Sequence, residues 1–209
     1  MFAKLLPAAL ILAAFSAPAL ADDNGWTGEA SLTGSKTTGN TDTTDAGVSL
    51  KLEKQADIWR HKFNGSAVYG KADGLKNKER MDLGYQLDRD VSERLYVYGN
   101  GSLFQDEFGA YKDGYFLGAG LGYKAVLPEP AKWNLEGGVG YRAQKVRLAT
   151  NTGNGTGSER NNDIALRGFS DFDYALNENV SLYNDTEVTW SESDTYLWND
   201  IGITAQLMG

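Results

Sequence analysis

The chain has 209 residues, a formal net charge of −8 and a pI near 4.7. With 28 acidic against 20 basic residues it offers no basic stripe to meet phosphates, which excludes a nucleic-acid partner. Zero cysteines exclude a disulfide framework and any thiolate metal site, and a mean hydropathy of −0.43 excludes a bundle of membrane helices. That average leaves room for a membrane β-barrel, in which only every second residue faces lipid.

The opening reads as an export signal. Lys4 precedes an apolar stretch from Leu5 to about Ala17, and Ala19-Leu20-Ala21 supplies a small-x-small cleavage site. Residues 1–21 are therefore expected to be removed after Ala21, leaving 22–209 as one mature domain.

Ten alternating segments follow, each predicted as a strand with one apolar face. The first runs Trp26–Gly34, with Trp26, Gly28, Ala30 and Leu32 opposite Thr27, Glu29, Ser31 and Thr33. After the polar turn at 36–42, the second presents Ala46, Val48, Leu50 and Leu52 against Ser49, Lys51 and Glu53. The third sets Trp59, His61, Phe63, Ala67 and Tyr69 against Arg60, Lys62, Asn64 and Ser66. The fourth places Met81, Leu83, Tyr85 and Leu87 opposite Arg80, Asp82, Gln86 and Asp88.

In the fifth, Leu95–Leu103, two tyrosines interleave with apolar residues, and Leu95, Val97 and Leu103 are assigned to the outside. The sixth alternates Tyr115, Leu117, Ala119, Leu121 and Tyr123 with glycines and Lys124. Pro128 and Pro130 mark a turn, because proline cannot donate to a central ladder. The seventh carries Trp133, Leu135, Val139 and Tyr141 against Asn134, Glu136, Arg142 and Gln144. A polar, glycine-rich loop is expected over Thr150–Asn161, followed by strands at Ile164–Leu176, Val180–Trp190 and Thr195–Leu207.

Export plus even-length alternating strands is the pattern of an antiparallel up-and-down transmembrane β-barrel in the outer membrane of a Gram-negative bacterium. The longer connections then lie outside the cell. Trp26, Trp59 and Trp133, at the starts of ascending strands, are expected to form a periplasmic aromatic girdle, and Trp190 and Trp198 an extracellular one. The polar faces are expected to line a lumen crossed by a charge network of Glu29, Lys51, Arg60, Asp82, Glu136, Arg142, Arg167, Asp171, Asp173 and Glu187, since buried charges are normally paired. The competing arrangement is a soluble exported sandwich with its apolar face inward. The density of charge on the polar face argues against it.

Several segments resemble one family: Gly-Trp-Thr-Gly-Glu-Ala-Ser-Leu-Thr-Gly-Ser at 25–35, Thr-Thr-Gly-Asn-Thr-Asp-Thr at 37–43, Trp-Arg-His-Lys-Phe at 59–63, Lys-Glu-Arg-Met-Asp-Leu-Gly-Tyr-Gln-Leu-Asp-Arg at 78–89, Gly-Ala-Gly-Leu-Gly-Tyr at 118–123 and Leu-Glu-Gly-Gly-Val-Gly-Tyr-Arg at 135–142. Together they resemble the YdiY-like family of salt-induced outer-membrane proteins, a domain of unknown function. The resemblance implies an integral outer-membrane barrel of about twelve strands, ended by an aromatic residue, and carries over no catalytic residues. Because this sequence stops at Leu207-Met208-Gly209, a shortened C-terminus is expected, with closure of ten strands as the alternative.

No catalytic residue, metal site or cofactor is assigned. His61, the single histidine, sits on the apolar face beside Trp59 and Phe63 and reads as an interfacial ring. The pairs Asp171/Asp173 and Asp185/Glu187 read as members of the charge network rather than as paired catalytic acids. The expected role is non-enzymatic, structural or stress-related in the envelope, with a narrow channel for ions or small solutes as the alternative. Outer-membrane lipid, lipopolysaccharide and the barrel insertion machinery are the expected partners.

Overall fold

An extended chain puts successive side chains on opposite faces, so strict alternation yields a two-faced sheet. The computed structural model describes residues 9–17, 25–38, 41–148 and 157–205. They form β1 (Ala9–Ala17), β2 (Trp26–Thr37), β3 (Thr43–Ala56), β4 (Trp59–Ala72), β5 (Leu75–Asp90), β6 (Leu95–Asp106), β7 (Tyr111–Ala125), β8 (Ala131–Leu148), β9 (Gly157–Asn177), β10 (Val180–Ser191) and β11 (Thr195–Ala205). All lie side by side in chain order in one antiparallel sheet. This is the expected up-and-down, all-β arrangement, and β2 to β11 are the ten strands read from the sequence.

Two hairpins show how the turns set the register. Asp57, between β3 and β4, has φ 54°, and Asp73-Gly74, between β4 and β5, has φ 50° and 78°. In the Asp73-Gly74 turn both central residues have positive φ, and in the Asp57-Ile58 turn the first does; both patterns belong to the two-residue turns whose twist matches that of the flanking strands. The sheet curls so far that β5 reaches β8 through side chains: Gln86 donates to Glu136 at 2.8 Å. Lys51 on β3 likewise comes within electrostatic range of Asp185 on β10. Among the described residues no ladder joins β11 to β1 or β2, so the sheet is a curled, open half-barrel with edges at β1 and β11.

The structure departs from the sequence reading in three places. Ala9–Ala17, inside the stretch read as an export signal, lies along the edge of β2, with Ala17 opposite Ala30 and Ala9 opposite Thr37. An open strand edge accepts any extended segment that can complete its hydrogen bonds. Residues 157–161, expected as loop, extend β9: Gly157 pairs with Leu148 and Arg160 with Lys145. β5 likewise begins at Leu75, ahead of the alternating run. Backbone ladders need no apolar side chains, so hairpins outrun the amphipathic pattern that reveals them. The remainder of the expected loop, the cleavage site after Ala21 and the chain end at 206–209 lie outside the described residues.

Residues directly opposite in an antiparallel ladder share a face, and the faces separate cleanly. The convex side exposes Leu121 (64%), Ile164 (74%) and Ile201 (65%) among many large apolar chains, including Leu95, Val97 and Leu103 as expected. The concave side holds the largest fully buried side chains, Tyr96 (1% exposed) and Asp88 (0%). The polar side of the sheet is thus its interior and the apolar side its exterior.

Candidate functional site

Two neighbouring rows across the concave face build the centre of the molecule. One runs Arg60, Asp88, Tyr98, Gly120, Gly138, Arg167, Thr189 and Tyr196 from β4 to β11. The next runs Asp90, Tyr96, Gly122, Glu136, Phe169, Glu187 and Trp198 from β5 to β11. The glycines explain the geometry. A Cβ on Gly122 would fall 2.0 Å from Tyr96 Cζ, and one on Gly120 2.7 Å from Tyr98 Cζ. Without those carbons the two rings lie flat over β7, and the Tyr96 hydroxyl reaches across it to donate to Glu136 on β8 at 2.9 Å.

Charged groups close over the rings. The Arg60 guanidinium lies 5.1 Å from the Tyr96 ring centre, and that of Arg167 lies 5.6 Å from Tyr98 and 4.9 Å from Phe169. Such stacking is favourable where water is excluded. Arg60 pairs with Asp88 at 2.9 Å, and Lys62 approaches the same carboxylate at 3.6 Å. Gln86 donates to both Asp88 and Glu136, each at 2.8 Å. Arg167 bridges Glu136 at 2.7 Å and Glu187 at 2.9 Å. Arg60, Asp88, Gln86, Glu136, Arg167 and Glu187 therefore form one continuous network over the concave face.

Of the charged residues singled out from the sequence, the structure gathers Arg60, Glu136, Arg167 and Glu187 into this network. Asp82 belongs to a separate cluster, held by Arg80, which also approaches Asp106 at 3.5 Å. Arg142 meets Asp194 in the β10–β11 turn, and Asp171 accepts from Asn134 at 3.1 Å. Asp173 lies on the same face, opposite Lys132 and Tyr183. Glu29 and Lys51 face each other across β2 and β3, and both are exposed. Asp88, Gln86 and Tyr96 were not singled out. Their signal was present in the polar alternation of the fourth strand and in the glycines that face the tyrosines.

The tryptophans divide by face. Trp26, Trp59, Trp133 and Trp190 lie on the convex side, at positions paired with Lys54, Arg89, Phe172 and Leu166. Trp198 does not: it sits opposite Glu187, on the concave face. Its neighbours in sequence, Leu197 and Asn199, are the ones that point outward with Val188 and Thr186. The expectation of an exterior position for Trp198 is thus corrected by register. His61 is on the convex face, its Nδ1 2.7 Å from the Tyr85 hydroxyl. Among the described residues no group of three or more metal-ligating side chains comes together.

A sheet with an apolar exterior, a charge-paired interior and strands in strict chain order defines the class: a curled up-and-down β-sheet of the barrel type. The chain belongs to the family described as "Protein of unknown function, DUF481", which matches residues 30–209 and is the YdiY-like family that the motifs resemble. No curated protein matches it significantly. Solved structures similar to the chain include the siderophore receptor PirA from Pseudomonas aeruginosa (TM-score 0.47, 8% identity, covering 93% of this chain and 37% of the receptor). The KdgM porin (0.45, 11%, 93% and 90%) and the ferric citrate transporter FecA in its unliganded form (0.43, 11%, 90% and 38%) are also similar. The chain thus spans little more than a third of the first of these.

Proposed function

We propose that the protein is an integral outer-membrane β-barrel protein that acts without catalysis, as a structural or stress-related component of the envelope. The observation that carries this reading is the Gln86–Glu136–Arg167–Glu187 chain of contacts, which ties β5, β8, β9 and β10 together over the concave face. An exterior of exposed leucines, isoleucines and tryptophans supports membrane insertion, since water leaves such a surface without a partner and lipid does not. Inside, every strong charge of the central network is already satisfied by another. None is held ready for a substrate proton, and His61 points to the exterior instead. The salt-induced label comes from the family resemblance alone.

Planar-bilayer recording of the purified, heat-modifiable protein tests the reading. Insertion with no stepwise conductance is expected, because the cross-linked interior leaves little room for hydrated ions. Reproducible unitary steps would replace it with the narrow-channel reading. The central network would then be a selectivity constriction.

A further inference from the structure

The convex face is nearly free of charge except at its two ends, and one end is unusual. At the rim where β2, β4 and β8 begin, Lys54 and Arg89 are the two charged residues on the convex strand faces among the described residues, and both are cations. Neither has a carboxylate partner in the network of ion pairs, whereas Lys62, Arg80, Lys124, Arg142 and Arg167 all do. Each instead lies over a tryptophan: Lys54 Nζ 5.5 Å from the Trp26 ring and the Arg89 guanidinium 5.6 Å from the Trp59 ring.

Register places these groups together. Lys54 is opposite His61 on β4, His61 is opposite Leu87 on β5, and Arg89 is the next convex residue beyond Leu87. A strand spacing of about 4.8 Å and a rise of about 3.4 Å per residue put the Cα atoms of Lys54 and Arg89 roughly 12 Å apart. Two long cationic side chains can converge on one anion over that distance. Between them stand Trp59 and His61, with His61 braced by the Tyr85 hydroxyl and its ring centre 6.5 Å from that of Trp26.

We infer that Lys54 and Arg89, framed by Trp26, Trp59 and His61, bind the phosphate headgroup of an anionic phospholipid at the barrel's exterior rim. The proposal rests on the membrane reading above and adds the lipid class and its site. The occupant follows from charge complementarity. Two cations without a protein anion sit where the apolar exterior ends and an aromatic layer begins, the level at which headgroups lie. The guanidinium suits a phosphate bidentately and the ammonium acts as a point charge.

The test is quenching of tryptophan fluorescence by brominated lipids, with the full chain reconstituted in phosphatidylcholine vesicles. Brominated phosphatidylglycerol is expected to quench preferentially over brominated phosphatidylcholine. The preference should fall about fivefold for each of Lys54→Gln and Arg89→Gln, survive in Lys54→Arg and Arg89→Lys, and be untouched by Lys145→Gln at the opposite rim. Equal quenching by the two lipids in the unaltered protein overturns the lipid site while leaving insertion intact. Displacement of the preference by millimolar inorganic phosphate also overturns it, in favour of a free-phosphate site. No quenching by either brominated lipid overturns both the site and the membrane reading.

Discussion

Gln86 on β5 and Glu136 on β8 are joined by a 2.8 Å hydrogen bond across the concave face, although fifty positions separate them in the chain. Glu136 also accepts from Tyr96 and pairs with Arg167, so one carboxylate gathers donors from β5, β6 and β9. Such a group stiffens the curvature of the sheet as well as occupying its interior. Networks of this kind are costly when incomplete and rigid when complete.

Arg167→Met should therefore be among the most damaging single changes in the interior. It leaves Glu136, whose side chain is 1% exposed, and Glu187 without their shared cation. Breaking a buried pair in this way costs about 3–5 kcal/mol. Arg80→Gln removes the Asp82 pair from a half-exposed site and should cost about 0–1 kcal/mol. Urea unfolding of both variants in micelles gives the comparison; equal midpoints would mean that the central network contributes nothing special.

The glycines make a second contrast. Gly122→Ala drives a methyl into the Tyr96 ring and should cost about 1–3 kcal/mol by overpacking, with loss of the Tyr96–Glu136 hydrogen bond. Gly137→Ala, on the opposite face of β8 with nothing within 4 Å of its Cβ position, should be neutral or slightly stabilising. The yield of heat-modifiable protein for the two variants is the readout. If Gly122→Ala folds as well as Gly137→Ala, the flat seating of Tyr96 is not required.

These two contrasts also show what could be read before folding. The period-two pattern places Glu136 and Arg167 on the interior face, because parity along a strand is a local property. Which interior charge meets which is not local. It depends on the lateral offset accumulated from strand to strand, as the pairing of Arg142 with the Asp194 turn illustrates. Trp198 differs for a simpler reason: Trp190 and Trp198 both flank the Ser191–Asp194 turn, but Trp190 lies opposite Thr195, three residues short of Trp198, and an odd offset puts Trp198 on the other face, opposite Glu187. Ala9–Ala17 carries no alternation at all, so its place beside β2 leaves no trace in the pattern.

The face assignment of the tryptophans is open to direct measurement. In variants that keep one tryptophan and replace the others by phenylalanine, brominated phosphatidylcholine should quench Trp190 strongly. Trp198, on the concave face, should respond to aqueous acrylamide instead. Strong lipid quenching of Trp198 would require a register shift of one residue between β10 and β11, which would also turn Leu197 and Ile201 inward.

Leu121→Lys tests the exterior most directly, because membrane and water give opposite answers. Leu121 lies on the convex face of β7, 64% exposed and flanked in register by Val97 and Gly137. On a soluble protein, replacing so exposed a leucine by lysine changes stability by no more than about 0.5 kcal/mol. On the lipid face of a barrel the same change costs about 2–4 kcal/mol near the midplane and about 0–1 near an interface. Unfolding from phospholipid vesicles should show a loss for Leu121→Lys well beyond that for Glu53→Lys, whose side chain is exposed on the polar face. Equal, small effects at the two positions would mean that the apolar exterior does not face lipid. The exposed leucines and isoleucines of β7, β9 and β11 would then need a protein partner to cover them.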